Sequence, residues 1–269
     1  MRGQGDAWEL LLSRLEDAID RCRRGSVATL SYLTPLERRR LSRELGSRGL
    51  QDTAYFWGGY AEAERTCLFL LPDYLAAMRE GVEDEDLPML LGEELTERVS
   101  AVKIRGSGYR TLTHRDYLGS VLGLGLERDA IGDVAVQNER EAVLFCSARI
   151  AQFLCENLEK VASDSVRCEP YVVDEHFTDG KRYRPISDTV ASARLDCVVA
   201  ALTNLSRENA KNLVQSGLVE LEYEMETRTD ITVVPPATLS VRGYGRFVVR
   251  AFDGETKKGR LRLRADQLI

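Results

Sequence analysis

The sequence predicts an α+β fold built from three small units and a basic tail. The chain has 269 residues, enough for one large domain or for two to three small ones. Hydrophobic residues make up 43% of it, as in ordinary globular proteins. Helical and strand-like patterns alternate and are separated by polar segments. We therefore place the units at residues 1–80, 81–180 and 185–255, and the tail at residues 256–269.

The first unit is predicted to be a small α/β unit. Residues 8–23 carry apolar side chains at helical spacing. Thr34-Pro35 indicates a helix start, because threonine can cap free N–H groups and proline fits the first turn. Thr53–Trp57 and Cys67–Leu71 are predicted strands on either side of a glycine turn. Residues 80–95 are acidic and loosely patterned, which is typical of a linker with a short helix.

The second unit is predicted to have the element order β-α-β-β-α-β. Its first helix opens with Thr113-x-x-Asp116, which has the form of a capping box. This order is ferredoxin-like and is shared by many RNA-binding domains, which stack bases on aromatic side chains of their central strands. Phe145 is the one candidate for such stacking, and a core position suits it better. The predicted elements are Arg98–Ile104, Thr113–Leu122, Asp133–Val136, Ala142–Phe145, Ser147–Val161 and Val166–Val173.

The third unit follows a polar segment, Asp174–Ser187, which we predict to be a linker. An apolar stripe over Leu195–Leu202 predicts a first helix, and Ser206 is placed to cap a second one. Gly217 is expected to end the second helix in the left-handed conformation. The strands predicted to follow are Thr238–Val241 and Phe247–Phe252.

Positive charge in the third unit is suited to an RNA backbone. Arg207 and Lys211 are four residues apart, so they share the exposed face of the second helix and can hold phosphates without reading base sequence. The chain has a net charge of −6, but residues 241–264 contain eight basic and two acidic residues. Such a local patch can bind a polyanion, and Arg242 and Arg246 would extend the helix face. For the part after residue 253, a solvated tail explains the charge equally well.

This stretch resembles the RNA-binding module named after small-subunit ribosomal protein S-four. The module has the pattern Arg-Leu-Asp, then Ser-Arg-x-x-Ala, then Gly-x-Val. The matching residues are Arg194-Leu195-Asp196, Ser206-Arg207-Glu208-Asn209-Ala210 and Gly217-Leu218-Val219. The resemblance covers residues 187 to 250 and implies that Arg194 joins Arg207 and Lys211 in contacting phosphates. The alternative is a helix pair that packs on its own sheet and binds no ligand.

The chain departs from the module just after this match. The module continues Val-x-Val-Asn-Gly, where this chain has Val219-Glu220-Leu221-Glu222-Tyr223. Glutamates on this strand place negative charge where the module is often neutral or basic. We expect this charge to weaken RNA binding rather than to change the fold.

A second candidate anion site lies at His114-Arg115-Asp116. The same tripeptide occurs in protein kinases, but a kinase needs Asn at the position held here by Val121, and no Asp-Phe-Gly is present. Asp116 suits the positive end of a helix, and His114 and Arg115 are placed to meet a phosphate there. The alternative is that Asp116 only caps the helix and Arg115 pairs with a nearby carboxylate.

Other catalytic, metal and membrane sites are not indicated. Gly106-Ser107-Gly108 and Gly123-Leu124-Gly125 lack the third glycine of a dinucleotide-binding fingerprint, and no Gly-x-Ser-x-Gly motif is present. The six cysteines never fall as Cys-x-x-Cys and there are two histidines, so a zinc site is not expected. No apolar run is long enough to predict a membrane span.

Motifs spread over nearly the whole chain resemble the YlmH family. They are Tyr55-Phe56-Trp57-Gly58-Gly59-Tyr60 with Glu64-Arg65, the segment from Thr113 to Asp133, and Ser240-Val241-Arg242-Gly243-Tyr244-Gly245-Arg246-Phe247. The resemblance implies a bacterial, cytoplasmic, non-enzymatic RNA-binding protein. It also implies association with the large ribosomal subunit carrying stalled peptidyl-tRNA, in ribosome-associated quality control, and a link to cell division.

We predict non-catalytic binding of structured RNA, either ribosomal RNA or tRNA or both, by a monomer without cofactor, metal or membrane contact. One alternative is an RNA-modifying enzyme such as a pseudouridine synthase, because such enzymes also carry the S-four module. Asp116 and Asp133 are available to it but lie in no matching motif. The other alternative is a cell-division scaffold, whose binding would be insensitive to salt. The predicted RNA-binding residues are Arg194, Ser206, Arg207, Lys211, Arg242, Arg246, His114 and Arg115.

Overall fold

The computed structural model describes residues 2–79, 87–174 and 176–269, and the chain divides into two compact units, Met1–Gly180 and Lys181–Ile269. Both units combine helices with antiparallel sheets, so the predicted α+β class is confirmed. No helix in these described ranges is long and apolar enough to cross a membrane.

The N-terminal part of the first unit is a small antiparallel sheet with helices beside it. Its elements are α1 (Arg2–Arg23), β1 (Ala28–Leu33), α2 (Pro35–Ser47), β2 (Ala54–Trp57), β3 (Thr66–Leu70) and α3 (Asp73–Arg79). The strands lie in the order β1-β3-β2. Thr34 caps α2 in a capping box with Glu37, which confirms the predicted helix start. Strand β1 has no counterpart among the predicted elements.

The middle part of the first unit has the predicted element order. Its elements are α4 (Leu87–Arg98), β4 (Ser100–Gly106), α5 (His114–Leu122), β5 (Ile131–Asn138), β6 (Glu141–Cys146), α6 (Ala148–Asn157), β7 (Lys160–Val161) and β8 (Asp164–Tyr171). All neighbours in the sheet β5-β6-β4-β8-β7 are antiparallel. The first four strands of this order correspond to the ferredoxin-like arrangement, and β7 is a short addition at the edge.

One face of this middle sheet is buried, and the other is buried over β5 and β6 but exposed at Arg105 of β4 and at Arg167 and Glu169 of β8. Helices α5 and α6 cover one face through residues such as Tyr117 and Leu154. The other face packs on the β1-β3-β2 sheet, where Phe69 belongs to the same core as Val143 and Phe145. Phe145 is 1% exposed, so its predicted core role is confirmed. The predicted boundary between residues 80 and 81 lies outside the described residues, and the parts on either side of it share this core.

Gly59 shows how closely the two sheets approach. It lies in the loop between β2 and β3 with φ of +107°, and a Cβ atom there would overlap the ring of Phe145. The neighbouring Tyr60 ring lies 5.1 Å from the Phe145 ring and 5.2 Å from the Phe177 ring. Glycine is required here by both the backbone angle and the lack of space.

The second unit is a six-stranded antiparallel sheet with two helices on one face. Its elements are β9 (Tyr183–Val190), α7 (Leu195–Thr203), α8 (Arg207–Gln215), β10 (Val219–Leu221), β11 (Glu224–Met225), β12 (Ala237–Val241), β13 (Gly245–Glu255) and β14 (Leu261–Leu268). The strand order is β11-β10-β12-β13-β14-β9. The predicted helix stripe is buried: Leu195 and Val199 of α7 and Val214 of α8 join the sheet residues Leu239 and Phe247 in one core.

Two predictions at the ends of this unit are wrong. The predicted basic tail at residues 256–269 contains β14, and the second half of the predicted linker Asp174–Ser187 contains the start of β9. The outward-facing charges of β14 obscured its alternation, since Leu263 and Ala265 are buried while Arg262 and Arg264 are exposed. Strand β9 is a polar edge strand containing Pro185, and proline is tolerated at sheet edges.

Candidate nucleic-acid interface

One buried carboxylate organises the helix pair of the second unit. Asp196 is 2% exposed and accepts hydrogen bonds from Arg194 Nε at 3.1 Å and Nη2 at 3.3 Å. It also accepts from Arg207 Nε at 3.2 Å, so it joins the start of α7 to the start of α8. Arg194 and Arg207, the arginine pair, are thereby held by a shared partner.

The charge on Asp196 is maintained by these arginines. Burial raises the pKa of Asp196, but the hydrogen bonds from Arg194 and Arg207 outweigh burial, and the pKa lies below its usual value. The carboxylate is therefore ionised at neutral pH. The side chain of Arg207 remains 59% exposed, so the ion pair orients its guanidinium without removing it from solvent.

The other predicted residues of α8 have distinct roles. Ser206 caps α8, accepting a hydrogen bond from Asn209 N at 3.3 Å, which confirms the predicted cap. Its hydroxyl is thus occupied by the helix. Lys211 is exposed one turn after Arg207, and no ion pair is formed by it within the described part of the chain. Gly217 has φ of +68°, as expected for the residue that follows the helix.

Arg246 does not lie on the helix face. Its strand neighbour Phe247 is buried against the helices, so Arg246 points to the opposite face of the sheet. There its guanidinium lies 5.7 Å from the ring of Tyr223, in a cation–π contact. Arg242 is exposed just beyond β12. The structure therefore places the arginine pair and Arg246 on separate faces.

Part of the basic stretch 241–264 is neutralised within the second unit. Arg250 Nε lies 2.7 Å from Asp266, and Arg264 Nε lies 2.8 Å from Asp253. Arg260 donates to Thr189 on β9. Among the described residues, the members of this stretch that form neither an ion pair nor a side-chain hydrogen bond are Arg242, Lys257, Lys258 and Arg262.

In the first unit, the capping box at α5 is as predicted. Asp116 accepts from Thr113 N at 2.8 Å and from its hydroxyl at 2.7 Å, and these hydrogen bonds lower the pKa of Asp116. Partial burial lowers the pKa of His114, and the nearby Arg128 cation lowers it further, so the imidazole is neutral at pH 7. Arg115 is exposed and forms no ion pair with any described residue.

A partly buried polar cluster that the sequence did not reveal lies beside this helix. Asp133 accepts from Tyr60 Oη at 2.7 Å, from Glu64 N at 2.7 Å and from Arg65 N at 3.2 Å. We call Tyr60, Glu64, Arg65 and Asp133 the Asp133 cluster. It ties the loop between β2 and β3 to strand β5. The motif that contains Tyr60 and Glu64-Arg65 is therefore in direct contact with the segment that ends at Asp133. The sequence linked these two motifs only through the family resemblance.

Arg65 is the cation of the Asp133 cluster, and it is 8% exposed. It donates to the carbonyl oxygens of Ile131 at 2.9 Å, Tyr32 at 3.0 Å and Arg128 at 3.1 Å. Burial lowers the pKa of Arg65. These contacts give Asp133 a structural role, and Asp116 is likewise occupied by its helix cap.

Among the described residues, no cluster of three His, Cys, Asp or Glu side chains is arranged to hold a metal ion. Burial raises the pKa of several thiols, including Cys67 and Cys146, each to about 12, so these cysteines are neutral thiols.

Comparisons with known proteins point to one family. Residues 98–175, which contain the middle sheet, match the family described as "Putative RNA-binding domain in YlmH". The chain is 30% identical over 209 residues to "Ribosome-associated protein quality control protein P2" of Bacillus subtilis (strain 168), covering 77% of this chain and 75% of that relative. Among solved structures, it is similar to "Cell division protein ylmH from Streptococcus pneumoniae", with a TM-score of 0.45 and 19% identity, covering 63% of this chain and 90% of that one.

Proposed function

This chain belongs to the YlmH family, and from that premise we propose that it binds structured RNA without catalysing a reaction. The observation that carries the proposal is the arginine pair held by Asp196. A fixed guanidinium can donate to a phosphate with little further loss of conformational freedom. Lys211 adds a second exposed cation on α8. Contacts of this kind position a protein on RNA without reading its sequence.

We propose that the RNA lies on the ribosome, on the large subunit, and is ribosomal RNA, tRNA or both. Support comes from the Bacillus subtilis relative, whose name describes a ribosome-associated quality control protein. We further propose that the protein acts in the cytoplasm as a monomer. Ultraviolet crosslinking in cells, followed by sequencing of the attached RNA, tests this. Recovery of large-subunit ribosomal RNA or tRNA is expected, and recovery of neither would contradict the proposal.

The absence of catalysis is a separate part of the proposal. Asp116 and Asp133, the two acids available to an RNA-modifying enzyme, are used in a helix cap and in the Asp133 cluster. We expect deletion of the gene to change no modified nucleotide in ribosomal RNA or tRNA. Mass spectrometry of RNA from deletion and wild-type cells measures this. A modification that is lost on deletion and returns with the gene would identify an enzyme instead.

We expect residues 181–269 alone to bind large ribosomal subunits much more weakly than the whole chain. Several basic residues of this unit are paired internally, and acidic side chains such as Glu220 repel phosphate. A second contact in the first unit would raise affinity through effective concentration. Arg115 is our candidate, since it lies in the first turn of α5. Co-sedimentation with purified subunits at fixed salt measures both effects.

The chain offers a matched control for Arg115→Ala. Arg149 occupies the same second position of its helix, α6, after the Ser147 cap, and it is also exposed. We expect Arg115→Ala to reproduce part of the loss seen with residues 181–269, and Arg149→Ala to have no effect. If residues 181–269 co-sediment with large subunits as well as the whole chain does, the first unit makes no contact with the ribosome that contributes to binding.

A further inference from the structure

The middle sheet does not offer RNA the candidate stacking ring of its central strands, because Phe145 is buried. Ferredoxin-like RNA-binding domains stack bases on an open sheet face. Here α5 and α6 cover one face, and the β1-β3-β2 sheet covers the other around Phe145. The rest of that face is exposed at Arg105, Arg167 and Glu169, and so are the loops at the end of the sheet.

One end of the sheet carries a firmly held loop. The loop between β4 and α5 is fixed by Leu112 N, which donates to Glu139 O at 2.7 Å, and by Ser107 N, which donates to Ser165 O at 3.0 Å. Gly106 N donates to Arg140 O at 2.7 Å. These bonds tie the loop both to the turn between β5 and β6 and to strand β8.

Tyr109 projects from this loop into solvent. Its side chain is 84% exposed, compared with 58% for Tyr74, another exposed tyrosine of the first unit. Tyr109 N donates to Ser107 Oγ at 3.3 Å, so the backbone beneath the ring is held in place. An aromatic ring in this position contributes little to the core. It does offer a flat surface on which a base can stack.

Two cations, Arg110 and Arg140, line a cleft next to Tyr109. The cleft has a volume of about 580 Å³ and is lined by Gly108, Tyr109, Arg110, Thr111, Asn138, Glu139, Arg140 and Glu141. We call it the loop cleft. Arg110 is 41% exposed, and Arg140 is exposed without an ion pair to any described residue. The guanidinium of Arg140 lies beside Gly108, close to the tyrosine.

The acids of the loop cleft are partly neutralised. Glu141 lies 2.6 Å from Arg105 Nε and accepts from Asn138 Nδ2 at 3.0 Å. Asp116, at the base of the loop, is used by the helix cap and lies 3.5 Å from Arg110. Glu139 remains as an exposed acid. Arg110 also donates to Ser163 Oγ at 3.5 Å, so the side chains that can meet a ligand are the exposed ring, the Arg140 guanidinium, the partly engaged Arg110 guanidinium and the Glu139 carboxylate.

We propose that the loop cleft binds single-stranded RNA, with an unstacked base on Tyr109 and its phosphates between Arg110 and Arg140. The inference rests on the proposed RNA-binding function and adds the kind of RNA and the place of contact. A single ring among cations and glycine backbone suits a base and phosphates better than an apolar protein surface. A base within a duplex is stacked on its neighbours, so it is not available to the ring.

Binding of the whole chain to a short single-stranded oligouridylate, measured at low salt, tests the proposal. Stacking on an aromatic ring contributes enough for Tyr109→Ala to weaken binding about tenfold. Tyr109→Phe should bind like the wild type, because it keeps the ring. Tyr74→Ala is the matched control and should have no effect. Arg140→Ala should flatten the dependence of log K on log salt by about one unit.

Two further measurements separate the outcomes. Photocrosslinking of an oligouridylate that contains thiouridine should attach the nucleotide at or beside Tyr109, and a duplex RNA should bind Tyr109→Ala and wild type equally. If the wild-type chain binds no RNA, the proposed function itself is wrong. If it binds RNA but Tyr109→Ala has no effect, the loop cleft is not the site.

Discussion

Replacing Asp133 with alanine is expected to lower the free energy of unfolding of the first unit by about 2–3 kcal/mol. The change removes a carboxylate that accepts hydrogen bonds from Tyr60, Glu64 and Arg65. It also removes one of the negative charges near the buried Arg65 guanidinium, of which Glu37 is another. Unpaired buried groups are costly, because they lose their partners without regaining water.

Urea unfolding followed by tryptophan fluorescence measures this change. Both tryptophans of the chain, Trp8 and Trp57, belong to the first unit, so the signal reports on that unit. Asp129→Ala is the control, since Asp129 lies 3.8 Å from Arg14 with both side chains about half exposed. A surface ion pair of this kind contributes at most about 1 kcal/mol. If the two variants are equally stable, the Asp133 cluster does not hold the loop.

The second large effect is expected on RNA binding. Replacing Arg207 and Lys211 together with alanine should weaken binding and lower the slope of log K against log salt by about two, one for each lost phosphate contact. Folding should be preserved, because Arg194 and Cys197 N still donate to Asp196. Filter binding over a range of salt concentrations measures affinity and slope, and circular dichroism checks the fold.

Two single changes sharpen this experiment. Asn212→Ala alters an exposed, uncharged side chain of the same helix and should leave both affinity and slope unchanged. Arg207→Lys keeps the charge and should therefore keep much of the wild-type slope of log K against log salt. A lysine cannot reproduce the planar geometry of the guanidinium. Unchanged affinity and slope in the double variant would place RNA elsewhere on the chain.

Local signals in the sequence were sufficient for much of the fold. The caps at Thr34, Thr113 and Ser206 were predictable because each one depends on side chains within three residues. The β-α-β-β-α-β order followed from alternation and helical spacing. Strands β9 and β14 escaped because they expose one face to solvent, and their polar or charged side chains obscure the apolar positions.

The site was predictable only in part, for a related reason. Arg207 and Lys211 could be placed on one helix face from their spacing alone. That Asp196 binds Arg194 and Arg207 together could not be predicted, because this contact requires the packing of α7 on α8. The Asp133 cluster joins residues more than sixty positions apart, from Tyr60 to Asp133. Contacts at such separation leave no periodic pattern in the sequence.

The contact between the two sheets of the first unit bears on how this protein can be divided for study. A fragment limited to residues 98–175 would end where the family match ends, but it would lack the β1-β3-β2 sheet. Its newly bared surface would include Val143 and Phe145, apolar groups that the intact chain never presents to solvent. Such a surface attracts nucleobases, detergents and other fragments alike. RNA affinity measured on that fragment would therefore reflect a surface that the intact chain buries. A fragment of residues 1–180 keeps the β1-β3-β2 sheet over this surface.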